Sequence, residues 1–105
     1  MKKLPLHPII NQQDSPHYDA DEVPGIVQLE AKHSVDRMIG FCEISIDKYN
    51  IRMPHKNQSE SDKRKIKTYE AYLLVLCDII KTNPDFKNFS VENAMKITGK
   101  KYRYE

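Results

Sequence analysis

Apolar residues recur at steps of three and four over two long stretches of the chain. In the first, about residues 26–52, Val35, Met38, Ile39, Cys42, Ile46 and Tyr49 form one stripe. Phe41, Ile44, Lys48 and Ile51 form a second, flanking stripe. Pro54 ends this stretch, because it disfavours the α region at Met53 and lacks an amide hydrogen. Gly40 weakens its middle and predicts a kink or a close helix contact. The second stretch, about 59–81, carries Ile66, Tyr69, Leu73, Leu76, Cys77 and Ile80, widened by Tyr72, Val75 and Ile79. It is apolar around most of its circumference, which predicts a central helix or one face of an oligomer. Ser59 or Ser61 caps it, Glu60 and Asp62 lie near its positive end, and Asn83-Pro84 stops it.

Shorter signals complete the outline. Ser90 caps a helix over Val91–Thr98, and Gly99 closes it. Residues 1–24 hold four prolines and no periodicity, an extended arm whose apolar piece, Leu4 to Ile10, predicts docking. Residues 100–105 interleave cations with tyrosines, a tail after the 25–99 helical domain. The fold class expected is all-α: an antiparallel hairpin of two long helices, a short C-terminal helix and a proline-rich N-terminal arm.

Composition then narrows function. The chain has 105 residues, 39% hydrophobic and 30% charged, room for one core. So polar a chain, with so apolar a second helix, predicts a dimer or larger assembly. Lys and Arg number 17 against 15 acids, a formal charge of +2, so coating nucleic acid by charge alone is disfavoured. Weak contact through the tail and the basic run 63–67 is the residual form of that idea. No apolar run reaches the roughly 20 residues of a membrane span, and Met1-Lys2-Lys3-Leu4-Pro5 lacks the core of a signal peptide. A cytoplasmic protein is expected. Cys42 and Cys77, 35 positions apart in apolar patterns, read as core residues rather than a zinc or disulfide pair.

Candidate chemistry gathers where the two long helices meet. Lys48 and Arg52 share a helical face, His55 and Lys56 follow in the connector, and Arg64 and Lys65 open the next helix. A hairpin brings these cations to one mouth, beside helix N-terminal amides that suit an anion. Paired acids for a metal cage are sparse: beyond Glu60 and Asp62 at its start, the second helix offers only Glu70 and Asp78, eight apart. His17, His33 and His55 lack ligand spacing, no glycine-rich phosphate loop exists, and no metal site is expected.

Several motifs form a set. Asp14-Ser15-Pro16-His17-Tyr18 resembles an Asn-His-Pro-x-His-Tyr element, with Ser15 in place of its first His. Phe41-Cys42-Glu43-Ile44-Ser45-Ile46-Asp47-Lys48-Tyr49-Asn50-Ile51-Arg52 resembles Phe-Cys-x-Gly-Asn-x-Ile-Lys-Tyr-x-x-Arg, with Ile44-Ser45 for Gly-Asn, and Lys56-Asn57 follows. Asp62, Lys65 and Tyr69 keep the offsets of a Glu-Asp-Leu-x-Lys-Ala-x-x-Tyr-Leu helix, with Leu73 one turn after Tyr69 rather than directly behind it. Together they resemble a small family of tailed-phage proteins, a domain of unknown function also found in the nucleotide kinase of T-odd coliphages. The resemblance spans about residues 14–80. It implies a phage-type nucleotide-binding protein in the host cytoplasm, and a possible deoxynucleoside monophosphate kinase without a Walker loop. Lys48, Arg52 and Lys56, with Arg64 and Lys65 nearby, would hold phosphates. Tyr18 or Tyr49 would stack on the base, and His17 would bond a phosphate or ribose. A nucleoside triphosphate with Mg²⁺ would be the cofactor, and otherwise none. The alternative is a non-catalytic helical interaction module of a phage or mobile element.

Overall fold

The computed structural model describes residues 4–9, 25–52 and 59–103. His17, Tyr18, His55, Lys56 and the capping side chain of Ser59 lie outside the described residues. Among the described residues four α-helices follow one another: α1 (Gly25–Lys32), α2 (Val35–Arg52), α3 (Ser59–Thr82) and α4 (Val91–Thr98), with a 3₁₀ turn at Pro84–Asn88 before α4. The fold is all-α, with the two long helices α2 and α3 packed along each other. Their contacts run in opposite senses, Arg52 with Asp62 and Phe41 with Tyr69, which makes the pair antiparallel.

The stretch expected as one helix over 26–52 is two. The physical reason lies at His33–Ser34. Ser34 Oγ accepts from the Arg37 amide at 3.1 Å and so caps α2. The backbone beside it pairs with the start of α4 instead of continuing a helix: Val35 N donates to Phe89 O at 2.9 Å, and Val91 N to His33 O at 3.1 Å. Two helix starts are thereby tied side by side, and α4 carries the matching cap, Ser90 Oγ accepting from Asn93 N at 3.2 Å. Gly99 closes α4 at φ 75°, the left-handed conformation that favours glycine there. Gly40 is a correction: α2 runs on through it, and a Cβ added there meets nothing within 4 Å among the described residues.

The core draws on every helix. Ile26, Val35, Met38, Cys42, Tyr72, Leu76, Ile79, Phe86, Val91, Ala94 and Met95 are buried together. α3 packs against α2, the 3₁₀ turn and α4, while α1 leans on α4. Most of the broad apolar girth of α3 is consumed this way, leaving Leu74 exposed. The larger exposed apolar set lies on α2, at Phe41, Ile44 and Ile51. Both cysteines are free thiols; Cys42 is fully buried and Cys77 half-buried.

The described ends of the chain meet. Arg103 N donates to Pro5 O and His7 N to Arg103 O, each at 3.0 Å, and Arg103 Nε reaches Leu4 O at 2.9 Å. Leu6, Ile9 and Tyr102 pack on the core between them. Of the basic, aromatic tail, Tyr102 is therefore a packing residue and Arg103 a clasp for the arm.

Candidate functional site

The end of α2 and the beginning of α3 bring three of the expected cations around one aromatic ring. Lys48 Nζ lies 5.4 Å from the centroid of Tyr49, Lys65 Nζ 5.4 Å, and the Arg52 guanidinium carbon 5.5 Å. The negative face of a phenol ring attracts cations at that range, so Tyr49 gathers them. Helical spacing explains the local geometry: Lys48, Tyr49 and Arg52 lie at the end of α2, and Lys65 faces them from the second turn of α3. Tyr49 in turn stacks on Tyr69, 6.2 Å between centroids and 22° between planes, and Tyr69 meets Phe41 edge to face at 5.7 Å. The ring that collects the cations is thus backed by an aromatic row joining the two helices. Arg64 lies exposed on α3 and is not one of the cations over Tyr49.

Asp62 reshapes this site, and residue patterns alone place it on the solvated first turn of α3. It is fully buried. Its Oδ1 accepts from Arg52 Nη2 at 3.1 Å, while its Oδ2 is buried with no hydrogen-bond partner among the described residues. The N-terminal dipole of α3 favours a carboxylate there, and the guanidinium supplies the charge that a buried carboxylate requires. Three cations therefore lie beside one buried anion, which engages Arg52 and leaves Lys48 and Lys65 over the ring. Chemically, the mouth suits a phosphate or carboxylate. Among the described residues no group of three His, Cys, Asp or Glu side chains is placed to hold a metal.

A second polar cluster lies inside the core. The Ile9 amide donates into His7 Nδ1 at 3.1 Å, which leaves the ring hydrogen on Nε2; that nitrogen donates to Glu30 Oε2 at 2.8 Å. Tyr72 donates its hydroxyl to the same oxygen at 2.5 Å. His7 and Tyr72 are fully buried and Glu30 nearly so. The His7 ring sits 4.8 Å from Tyr72 and 5.5 Å from Tyr102, whose phenol is pushed above its ordinary value by burial, then by Glu30 and Asp78. This is a polar clasp holding the arm to α1 and α3. Its signal in the sequence is slight: Glu30 lies one turn after Ile26 and so on the core side of α1. Nearby, a cleft of about 280 Å³ opens between α1, α4 and the tail, with Val27 and Met95 in its walls and Lys96, Lys100 and Lys101 around it.

No curated protein and no solved structure matches the chain. Residues 12–71 match the family DUF3310, described as a protein of unknown function. That match takes in the whole hairpin mouth, Lys48, Tyr49, Arg52, Asp62 and Lys65 included, and stops before α4. Spanning more than half of the sequence, it places the chain in the DUF3310 family.

Proposed function

We propose that the hairpin mouth binds the phosphate of a nucleotide. The observation that carries this reading is the convergence of Lys48, Arg52 and Lys65 on Tyr49 from two different helices. Cations held on rigid elements bind an anion with little further ordering cost. The resemblance to the phage family with a nucleotide kinase supplies the nucleotide, and the lysines supply the charge. In this reading Tyr49 organises the cations, and Lys48 and Lys65 meet the phosphate oxygens as point charges. Arg52 is shared with Asp62 and contributes from a fixed position. Kinase activity is the fuller form of the proposal. The described residues form no metal cage, so Mg²⁺ would arrive on a nucleoside triphosphate, and no step is assigned through it.

Thermal-shift titration with nucleoside mono- and triphosphates at one ionic strength tests the reading. A ligand at a hundredfold excess over Kd stabilises the protein by about 2.7 kcal/mol. Wild type is expected to rise in Tm, with the rise reduced in Lys48→Ala and in Lys65→Ala. No shift with any nucleotide would contradict it. One observation favours the second reading, an interaction module: Ile44 and Ile51 are exposed on α2 at 70% and 71%.

A further inference from the structure

Four parts of the chain wall the cleft of about 280 Å³ beside the arm: Leu4 from the arm, Val27 from α1, Met95 from α4 and Tyr102 from the tail. These walls are held in place. Lys100 N donates to Met95 O at 3.0 Å, which turns the tail back onto α4 after Gly99. The pairing of Arg103 with Pro5 and His7 then ties the arm beside the tail. Leu4 stays exposed and Val27 and Tyr102 half-buried, so the walls keep apolar surface that a ligand would take out of water. The volume is just under the roughly 300–1,000 Å³ of sites for drug-sized molecules, which points to a small ligand.

Charge is divided between the walls. Lys96, Lys100 and Lys101 line the cleft from α4 and the tail. Lys96 is paired with Glu92 at 3.6 Å, whereas Lys100 and Lys101 have no ion-pair partner among the described residues. On the α1 side lies Glu30, nearly buried, its Oε2 engaged by His7 and Tyr72. Its negative charge repels an anion from that side and leaves the lysine side to one. We propose that the cleft binds a small amphiphilic carboxylate, its apolar body between Val27 and Met95 and its carboxylate at Lys100 and Lys101. The lysine stems cover apolar wall while their ammonium groups reach the head. This site shares no residue with the hairpin mouth, and the proposal does not rest on the nucleotide reading.

Octanoate, kept well below its micellar concentration, is the probe. Calorimetric titration of the full chain is expected to show saturable binding, about tenfold or more tighter than that of octanol, which lacks the charge, and of acetate, which lacks the chain. Amide resonances of Val27, Met95, Lys100 and Tyr102 are expected to shift with octanoate. The Lys100→Glu, Lys101→Glu double variant, folded by circular dichroism, is expected to bind about tenfold more weakly or worse. No binding of octanoate, octanol or acetate binding as tightly, shifts centred instead on Tyr49 at the hairpin mouth, or equal affinity in the folded double variant would each overturn the proposal.

Discussion

Arg52 Nη2 donates to Asp62 Oδ1 across 3.1 Å, and while the carboxylate is fully buried, about a third of the arginine side chain stays exposed. The pair joins the last turn of α2 to the first turn of α3, so it sets how the mouth closes. Arg52 would otherwise be an ordinary cation at a helix C-terminus, worth under about 1 kcal/mol. With Asp62 behind it, Arg52→Ala strands a buried carboxylate. The expected loss is about 2–3 kcal/mol, below the roughly 3–5 of a fully buried pair because the guanidinium is partly solvated. Arg52→Lys recovers part of it. Chemical denaturation measures both; a loss within a few tenths for Arg52→Ala would show that the pair does not hold the hairpin. Arg52 is consequently a poor probe of ligand binding, and Lys48 and Lys65 are the cleaner ones.

Gly40→Ala is expected to stabilise the protein by about 0.5–1 kcal/mol. The position is helical, and an added Cβ meets nothing within 4 Å among the described residues. Alanine there removes unfolded-state freedom without a steric cost. A fall in the urea midpoint would reveal a neighbour pressed against this turn.

The Cys42 thiol is pushed up to about 12 by burial, then by Cys77 and Glu43, from an ordinary 9.0. In the folded protein it keeps its proton where the unfolded chain would lose it. Its contribution to stability is complete below about pH 9 and is lost as pH rises from there toward 12. Wild type is expected to lose stability above pH 9 more steeply than Cys42→Ala, by up to about 1.4 kcal/mol per pH unit. Tyr102, whose phenol is raised too, weakens both proteins alike in the same direction. Urea titrations at several pH values between 8 and 11 read the difference, and parallel curves would contradict the burial of this thiol. In native protein near pH 8, a thiol reagent is expected to modify Cys77 well before Cys42.

Tyr72→Phe is expected to cost about 1.5–3 kcal/mol, because it removes a hydroxyl that donates to a buried carboxylate. His7 stays on Glu30, so the arm should remain docked. Equilibrium unfolding gives the first value, and amide exchange at His7 and Arg103, whose backbones pair, reports the second. An unchanged unfolding free energy would mean that Glu30 is served as well by water.

The helices were legible because their signals are local. Val91–Thr98 is bracketed by Ser90 and Gly99, which cap it as expected, and the Val35 stripe and the Tyr72–Ile79 girth become the core. The break before α2 was less legible, since Ser34 acts as a cap only once Phe89 and Val91 arrive to pair with its neighbours. Buried charge was least legible. Glu30 meets its partner Tyr72 from 42 positions away, and Asp62 reads as a solvated helix-start acid until Arg52 folds over it. At the mouth, spacing put Lys48 and Arg52 on one face, but the ring that draws Lys65 to them is a tertiary contact.

The central claim is that the mouth holds a nucleotide's phosphate. Calorimetric titration of a nucleoside monophosphate and a triphosphate into wild type and into the Lys48→Ala, Lys65→Ala double variant, at one salt concentration, tests it most directly. The account predicts saturable binding to wild type and a loss of about 1.5–3 kcal/mol, roughly tenfold to a hundredfold in Kd, in a double variant that stays folded. Equal affinity in the two proteins, or no binding by wild type, would contradict it.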